Sequence, residues 1–470
     1  DAIGAKVKLR YDWLGRESRW EYGLDDFESV VRDGLGAITK RSFGGHSIDL
    51  AVDSQGNPLS EKSAQGSVGG IDATTTYDVA GRVVRQEDKV TGLVDEYEYE
   101  DLKGRRTRWT RTVQVDGSPE VLVETRTYAN SPTGETRVTV TETSSGSPRV
   151  TRAGIDPLGR MLWREEDTPA GVAREEFEYT ERGQVKWQRD PMGRVSTFTY
   201  DGSGRLIRST DAAEIETVIV MDAGGLEQSR TRGVTPRELW SMTYDELGRM
   251  STRTLGDSSG EVASWSWSYP GSGKVVEIDP RGRMVTRTLN GRGRTKREEL
   301  SEPQFVRELE YDGPWTKRQS ATEGDWSAVT SRSYDDRGRV LSEVESWSAA
   351  GLSYSYETTT SWSGRTATIT TRGMGASADR VETVLVDSLG NQLSRVAGGL
   401  TDKWSYNAAG LLIWSQPAGK PRTDNTYDRG WLTEQTRGTE TWAFDYYLDG
   451  REKTVVDPSG RTLTRTWDPR

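Results

Sequence analysis

Aspartate is the residue type in this chain with the most chemical reach, since two carboxylates held at different pKa values can divide acid and base work between them. It recurs at one fixed place. Asp78, Asp156, Asp190, Asp201, Asp245, Asp279, Asp335, Asp387 and Asp457 are each followed three residues later by glycine, at Gly81, Gly159, Gly193, Gly204, Gly248, Gly282, Gly338, Gly390 and Gly460. A catalytic pair is needed once, so a carboxylate copied along the whole chain has a different use. Asp-x-x-Gly matches positions i to i+3 of a type I β-turn, in which the Asp carboxylate accepts backbone N–H groups two residues on. Pro157, Pro191, Pro280 and Pro458 stand at i+1, where proline presets the φ of about −65° that this turn requires. These Asp, Pro and Gly positions are therefore read as structural turn residues. No catalytic, cofactor-binding or metal-ligating residue is expected, and the chain is expected not to be an enzyme.

The other candidates reduce to the same architecture. His46 is the single histidine, so a multi-histidine zinc site or a histidine-based triad elsewhere has no material; its Gly44-Gly45 context reads as a loop. Neither Asp25-Asp26 nor the stretch from Asp445 to Gly450 concentrates enough oxygen ligands for Ca²⁺. Gly291-Arg292-Gly293 and Gly271-Ser272-Gly273-Lys274 lack the Gly-Lys-Ser/Thr ending and the following helix of a phosphate cradle, and read as turns. The Arg after each turn glycine is expected to pair across strands with Glu or Asp of the adjacent hairpin, at most about 1 kcal/mol apiece when exposed. Trp and Tyr at strand spacing read as wall packing, with carbohydrate binding as the competing use.

What positions these turns is a repeated strand. After Asp190-Pro191-Met192-Gly193-Arg194, the run Val195, Thr197, Thr199 alternates with Ser196, Phe198, Tyr200 as a strand does. The residue leading into the turn recurs as Tyr77, Tyr179, Tyr200, Tyr244, Tyr334, Tyr406, Tyr427 and Tyr447, with Ile155, Met221, Ile278, Val386 or Val456 in its place elsewhere. The tightest spacings are about 20 to 23 residues, with half-steps of about 10 or 11. Ten residues make one strand plus a tight turn, and two such steps make a hairpin. The fold class is accordingly all-β: a continuous antiparallel ribbon of hairpins with on the order of 35 to 45 strands. Residues 77–470 carry the repeat; residues 1–76 read as degenerate or looped first repeats, with one short helix expected near Asp25 to Asp33.

Composition narrows the partners. The chain has 470 residues, 33% hydrophobic and 29% charged, with 17 Trp and 18 Tyr. That is thin material for a thick core, yet too aromatic and too regular for disorder. A net charge of −10 argues against nucleic acid as a partner. Absence of Cys leaves no disulfide or thiolate site. No apolar run approaches the roughly 20 residues of a membrane-spanning helix. A chain that begins at Asp1 without Met is expected to be a processed or excised piece of something longer.

Tyr77-Asp-Val-Ala-Gly-Arg-Val, Tyr244-Asp-Glu-Leu-Gly-Arg-Met and Tyr334-Asp-Asp-Arg-Gly-Arg-Val resemble the YD repeats of the Rhs family, which includes bacterial polymorphic toxins, the B and C components of insecticidal Tc toxins and the shell of teneurins. The resemblance implies a YD-repeat ribbon curling into a hollow shell, tube or open wall segment, secreted or at the cell surface. In bacteria such a shell commonly encloses a toxin domain cut from its C-terminal end. The expected partners are thus an enclosed C-terminal toxin domain or neighbouring repeat segments, with a surface glycan or receptor as further partners. The family's closing motif, an Asp-Pro-x-Gly followed by a Gly- and Asn-rich stretch, is missing before Trp467-Asp468-Pro469-Arg470. This leaves a second reading, an extracellular structural or adhesive module of a larger repeat protein, and a third, a carbohydrate-binding wall or hydrolase.

Overall fold

The computed structural model describes residues 7–22, 26–63, 70–100, 103–115, 118–132, 134–144, 146–233, 238–257, 260–373 and 378–467. Among them are 41 β-strands, from β1 (Lys8–Tyr11) to β41 (Thr462–Thr464), in a single open sheet, and no helix. Strands pair antiparallel with their sequence neighbours: Tyr77 of β7 (Asp72–Tyr77) faces Val83 of β8 (Val83–Asp88), and Arg189 of β16 (Val185–Arg189) faces Val195 of β17 (Val195–Tyr200). Thr, Val and aromatic residues favour this pleated surface, and a glycine-rich turn about every ten residues prevents helix growth. The helix expected near Asp25 to Asp33 is instead β3 (Phe27–Arg32), with residues 23–25 outside the described set. Val30 and Val31 are β-branched, and the strand is held between Glu21 and Phe43, which face Phe27 and Glu28.

Because strands follow one another, their turns alternate between two rims of the sheet. Turns leaving odd-numbered strands form what we term the tyrosine rim, since Tyr11, Tyr77, Tyr179, Tyr200, Tyr311, Tyr334 and Tyr427 all lie at that end. At each of these tyrosines the pairing register shifts by a β-bulge. Ile155, Met221 and Val386 sit at bulges in the same way. Turns leaving even-numbered strands form the plain rim; those at Asp190, Asp279 and Asp457 keep an unbroken register. In the pairings named, bulges therefore bend and twist the strands at the tyrosine rim.

The sheet is a wall without a thick core. Buried apolar side chains are few and scattered, Val113, Ala367, Leu393 and Ala408 being the most enclosed. The accessible surface is 26765 Å², against about 18,000 Å² expected for a compact protein of 52.4 kDa. No helix among the described residues is long and apolar enough to cross a membrane.

Two compact units divide the chain: unit 1 comprises Asp1–Val94, Thr243–Arg253 and Ala263–Thr401, and unit 2 comprises Asp95–Met242, Thr254–Val262 and Asp402–Arg470. Within unit 1, tyrosine-rim turns of residues 290–388 seat on plain-rim turns of residues 26–91, joining residues 249 to 297 apart in sequence. Within unit 2, Arg429 reaches the Thr168 carbonyl and Asp449 meets Arg194, joining residues 261 and 255 apart.

Packing against the neighbouring hairpin makes one glycine more costly to replace than its repeats. Gly338 and Gly390 both have positive φ, but a Cβ at Gly338 would lie 2.7–2.9 Å from the Trp315 ring, whereas Gly390 faces open space. Gly390→Ala should cost about 1–2 kcal/mol from backbone strain alone. Gly338→Ala should cost about 1–3 kcal/mol more from overpacking, read as a larger fall in the denaturant midpoint.

Candidate functional site

The recurring turn is a clasp that can be built from one copy. Asp245 ends the strand β21 (Glu238–Tyr244), and its Oδ1 accepts the backbone N–H groups of Leu247 at 3.0 Å and Arg249 at 2.9 Å. Gly248 N–H donates to the Asp245 carbonyl at 2.9 Å, and Asp245 N–H to the Arg249 carbonyl at 2.8 Å. With φ of +75° at Gly248, this is a type I turn followed by a glycine bulge. Asp245 Oδ2 then accepts Arg249 Nε at 2.7 Å. Thus held, the Arg249 guanidinium lies 4.2 Å from the ring centroid of Tyr269, the tyrosine of the next hairpin. The Tyr269 hydroxyl donates back to the carbonyl of Met250, the residue after Arg249, at 2.9 Å.

Asp, Gly, Arg and the following Tyr are one linked device. Arg160 stacks on Tyr179 and Arg294 on Tyr311, whose hydroxyls donate to Met161 and Thr295 carbonyls. Asp78, Asp156, Asp190, Asp201, Asp279, Asp335 and Asp457 each bind the backbone N–H and the Nε of the Arg four residues on. Asp387 holds Asn391 instead. Gly81, Gly159, Gly193, Gly204, Gly282, Gly338, Gly390 and Gly460 close these turns with positive φ. Pro157, Pro191, Pro280 and Pro458 occupy the second position.

Arg294, which follows the Asn290 turn, reaches Asp26. At these aspartate turns, by contrast, the arginine after the glycine serves its own turn, which corrects the expectation of a partner on the adjacent hairpin. The reason is distance: once Asp accepts the N–H at i+4, the guanidinium of that residue is already beside its free oxygen. Cross-strand pairs do occur at other positions, as in Arg287 with Glu277 and Glu298, and Arg395 with Glu382. Sequence reasoning missed the copies at Asp33 and Asp53, which close with Gly36 and Gly56; after Leu289 and Tyr406 the same turn is closed by Asn290 with Gly293 and Asn407 with Gly410. The first two carry the full Asp-x-x-Gly spacing; the last two were legible from the amide oxygen of Asn, which accepts the same N–H groups. At the pair Tyr446-Tyr447 the leading residue is Tyr446, which donates to the Leu432 carbonyl, while Tyr447 takes the first turn position.

Where rims seat, charged residues of the turns find partners far away in sequence. In unit 1, Asp26 is buried and accepts from Asn290, Arg292 and Arg294. The Arg337 guanidinium spans both oxygens of Asp88 at 2.7 and 2.8 Å and donates through Nε to the Gly70 carbonyl. His46, read from sequence as a loop residue, opens β5 (His46–Val52) and is nearly buried, with Nδ1 3.0 Å from Asp336 and Nε2 3.4 Å from Asp312. Phe43 and Trp315 flank its ring, and Trp315 stacks on Tyr334. In unit 2 a cavity of about 350 Å³ is lined by residues including Asp190, Arg194, Trp431 and Asp449. Arg194 lies within 3.3 Å of Asp449 and 2.6 Å of Asp190.

Residues 179–214 match the RHS repeat family. The search of curated proteins gave no match. Among solved structures, the crystal structure of TcdB2-TccC3 aligns over 98% of this chain and 28% of its own, with 10% identity and a TM-score of 0.43. That of TcdB2-TccC3-Cdc42 aligns over 98% and 30%, with 11% identity and a TM-score of 0.38. The chain thus spans less than a third of the length of either.

The clasp sets the pH range of the fold. Backbone N–H donation from the Arg at i+4, reinforced by its guanidinium, holds Asp78, Asp156 and Asp201 below the usual carboxylate range. In Asp457 the Ser459 hydroxyl leads and brings the value to about 2. Burial pushes Tyr77, Tyr269, Tyr311 and Tyr427 upward. Depressed Asp values contribute stability above the unfolded value near 4 that is lost as pH falls toward 2; raised Tyr values contribute stability below about 10 that is lost as pH rises further. A plateau between about pH 4 and 10 is expected, with denaturant midpoints falling on both sides. Replacing Asp78 and Asp201 by Asn should flatten the acid limb. Tyr269→Phe should cost about 1 kcal/mol, the value of one hydrogen bond; Arg249→Ala, which also removes the Asp245 pair and the ring contact, should cost more in the same unfolding measurement.

Proposed function

We propose, for a chain that belongs to the Rhs family of YD-repeat proteins, a non-enzymatic scaffold whose thin β-wall encloses a partner polypeptide, in the first place a toxin domain of the same secreted or surface protein. The observation that carries this reading is the rim seating. In each unit, turns of a later stretch lock onto turns of an earlier one through charged and backbone hydrogen bonds. A wall extended in this way grows in area without needing a core, as enclosure of a cargo demands. Its turn aspartates are committed to turn N–H groups and arginines, which supports a structural over a catalytic use for them. A second reading, an adhesive surface module, draws on Trp347 and Tyr354, stacked at 4.3 Å yet each 40% exposed, an aromatic platform of the kind that suits sugar rings; a glycan array tests it, and binding abolished by Trp347→Ala and Tyr354→Ala supports it.

Enclosure is tested by limited proteolysis of the whole gene product that contains this chain. A flanking domain should survive protease many times longer inside that product than when expressed alone. Arg337→Glu, which sets like charge against Asp88, should shorten that survival. Equal digestion rates for the free and attached domain would sink the proposal.

A further inference from the structure

Unit 1 shows how its rims seat, and it also carries two stretches of rim that stand in solvent. Its later tyrosine-rim turns are seated: Asn290, Asp335, Asp387 and Ser388 are buried, and their middle positions are Gly291-Arg292, Asp336-Arg337 and Ser388-Leu389. The early turns of the same rim, at Asp12, Asp33 and Asp78, carry apolar residues in those middle positions, and these are exposed: Trp13 85%, Leu35 88% and Val79 completely, with Leu14 half exposed. The four turns at Asp12, Asp33, Asp53 and Asp78 follow one another along the sheet, about 10 Å apart at two strand spacings each. The Asp53 turn carries Ser54-Gln55 instead; large apolar side chains in water at three of the four turns mark an interaction surface.

The complementary face is also present. Early plain-rim turns receive the later tyrosine rim inside unit 1, so a plain rim is what a tyrosine rim seats upon. The later plain-rim turns, Gly324-Asp325, Ala350-Gly351 and Gly398-Gly399, are exposed, and beside them stand Trp326, Leu352 at 61% and Leu400 at 65%. We infer that a second copy of this chain docks its late plain rim on the early tyrosine rim of the first, in the same rim-on-rim sense as within unit 1 but through apolar side chains. The two faces differ, so the contact is heterologous and adds copies head to tail.

Sedimentation velocity over a wide concentration range tests this with the intact chain. The wild type should associate as concentration rises, and Leu35→Asp with Val79→Asp should weaken association about tenfold or more. Leu352→Asp with Leu400→Asp should do the same from the other face. All four residues are exposed, so circular dichroism and unfolding midpoints of both variants should match the wild type. Mixing the two variants should restore a contact that stops at the 1:1 dimer, because each supplies the face the other lacks. A wild type that stays monomeric, variants that associate as the wild type does, or a mixture that stays monomeric would overturn the inference.

Discussion

The structure depends on what the aspartate carboxylate does at the first position of each turn. One oxygen gathers two backbone N–H groups, as Asp335 gathers those of Arg337 and Arg339, and the other takes the Arg339 side chain. A turn closed this way no longer relies on packing for its shape. That matters in a sheet with so little buried apolar surface, where each hairpin must hold its own register. The arginine so fixed becomes a platform for the next tyrosine, as Arg160 is for Tyr179, whose hydroxyl reaches back to the Met161 carbonyl. Local closure thereby passes from hairpin to hairpin along the ribbon.

The two rims divide the labour. Bulges and tyrosines collect at one, and the seated turns of both units meet the other with polar groups: Ser388 with the Thr91 carbonyl in unit 1, Arg429 with the Thr168 carbonyl in unit 2. Hydrogen bonds to carbonyls and to partly buried carboxylates are directional, so they fix which turn meets which. An apolar contact of the same area would tolerate sliding. Asp26 shows the strength of this constraint, being a buried carboxylate that is kept soluble in the wall by an asparagine and two arginines.

The proposed enclosing use draws on these constraints, since a sheet that locks rim to rim gains area at little cost in apolar residues. The aspartates of the repeated turns hold that sheet through backbone N–H groups and arginines.

The sequence by itself determined the strands, the turns and their type, because alternation over ten residues and Asp-x-x-Gly are local and each acts within five residues of itself. It also determined the absence of helix among the described residues, except near Asp33, where a helix was expected and Val30 and Val31 outweigh that weak local pattern once neighbouring strands are present. The partner of Arg249 is local too, since the closed turn brings Asp245, four residues earlier, within reach. Only the tertiary structure decided the partners of His46. His46 came to lie between Asp312 and Asp336, whose nearer contact spans 290 residues, a distance at which no spacing rule operates. Which turns are seated and which stand in water was likewise decided there, since all share one local geometry and differ in what the chain brings against them.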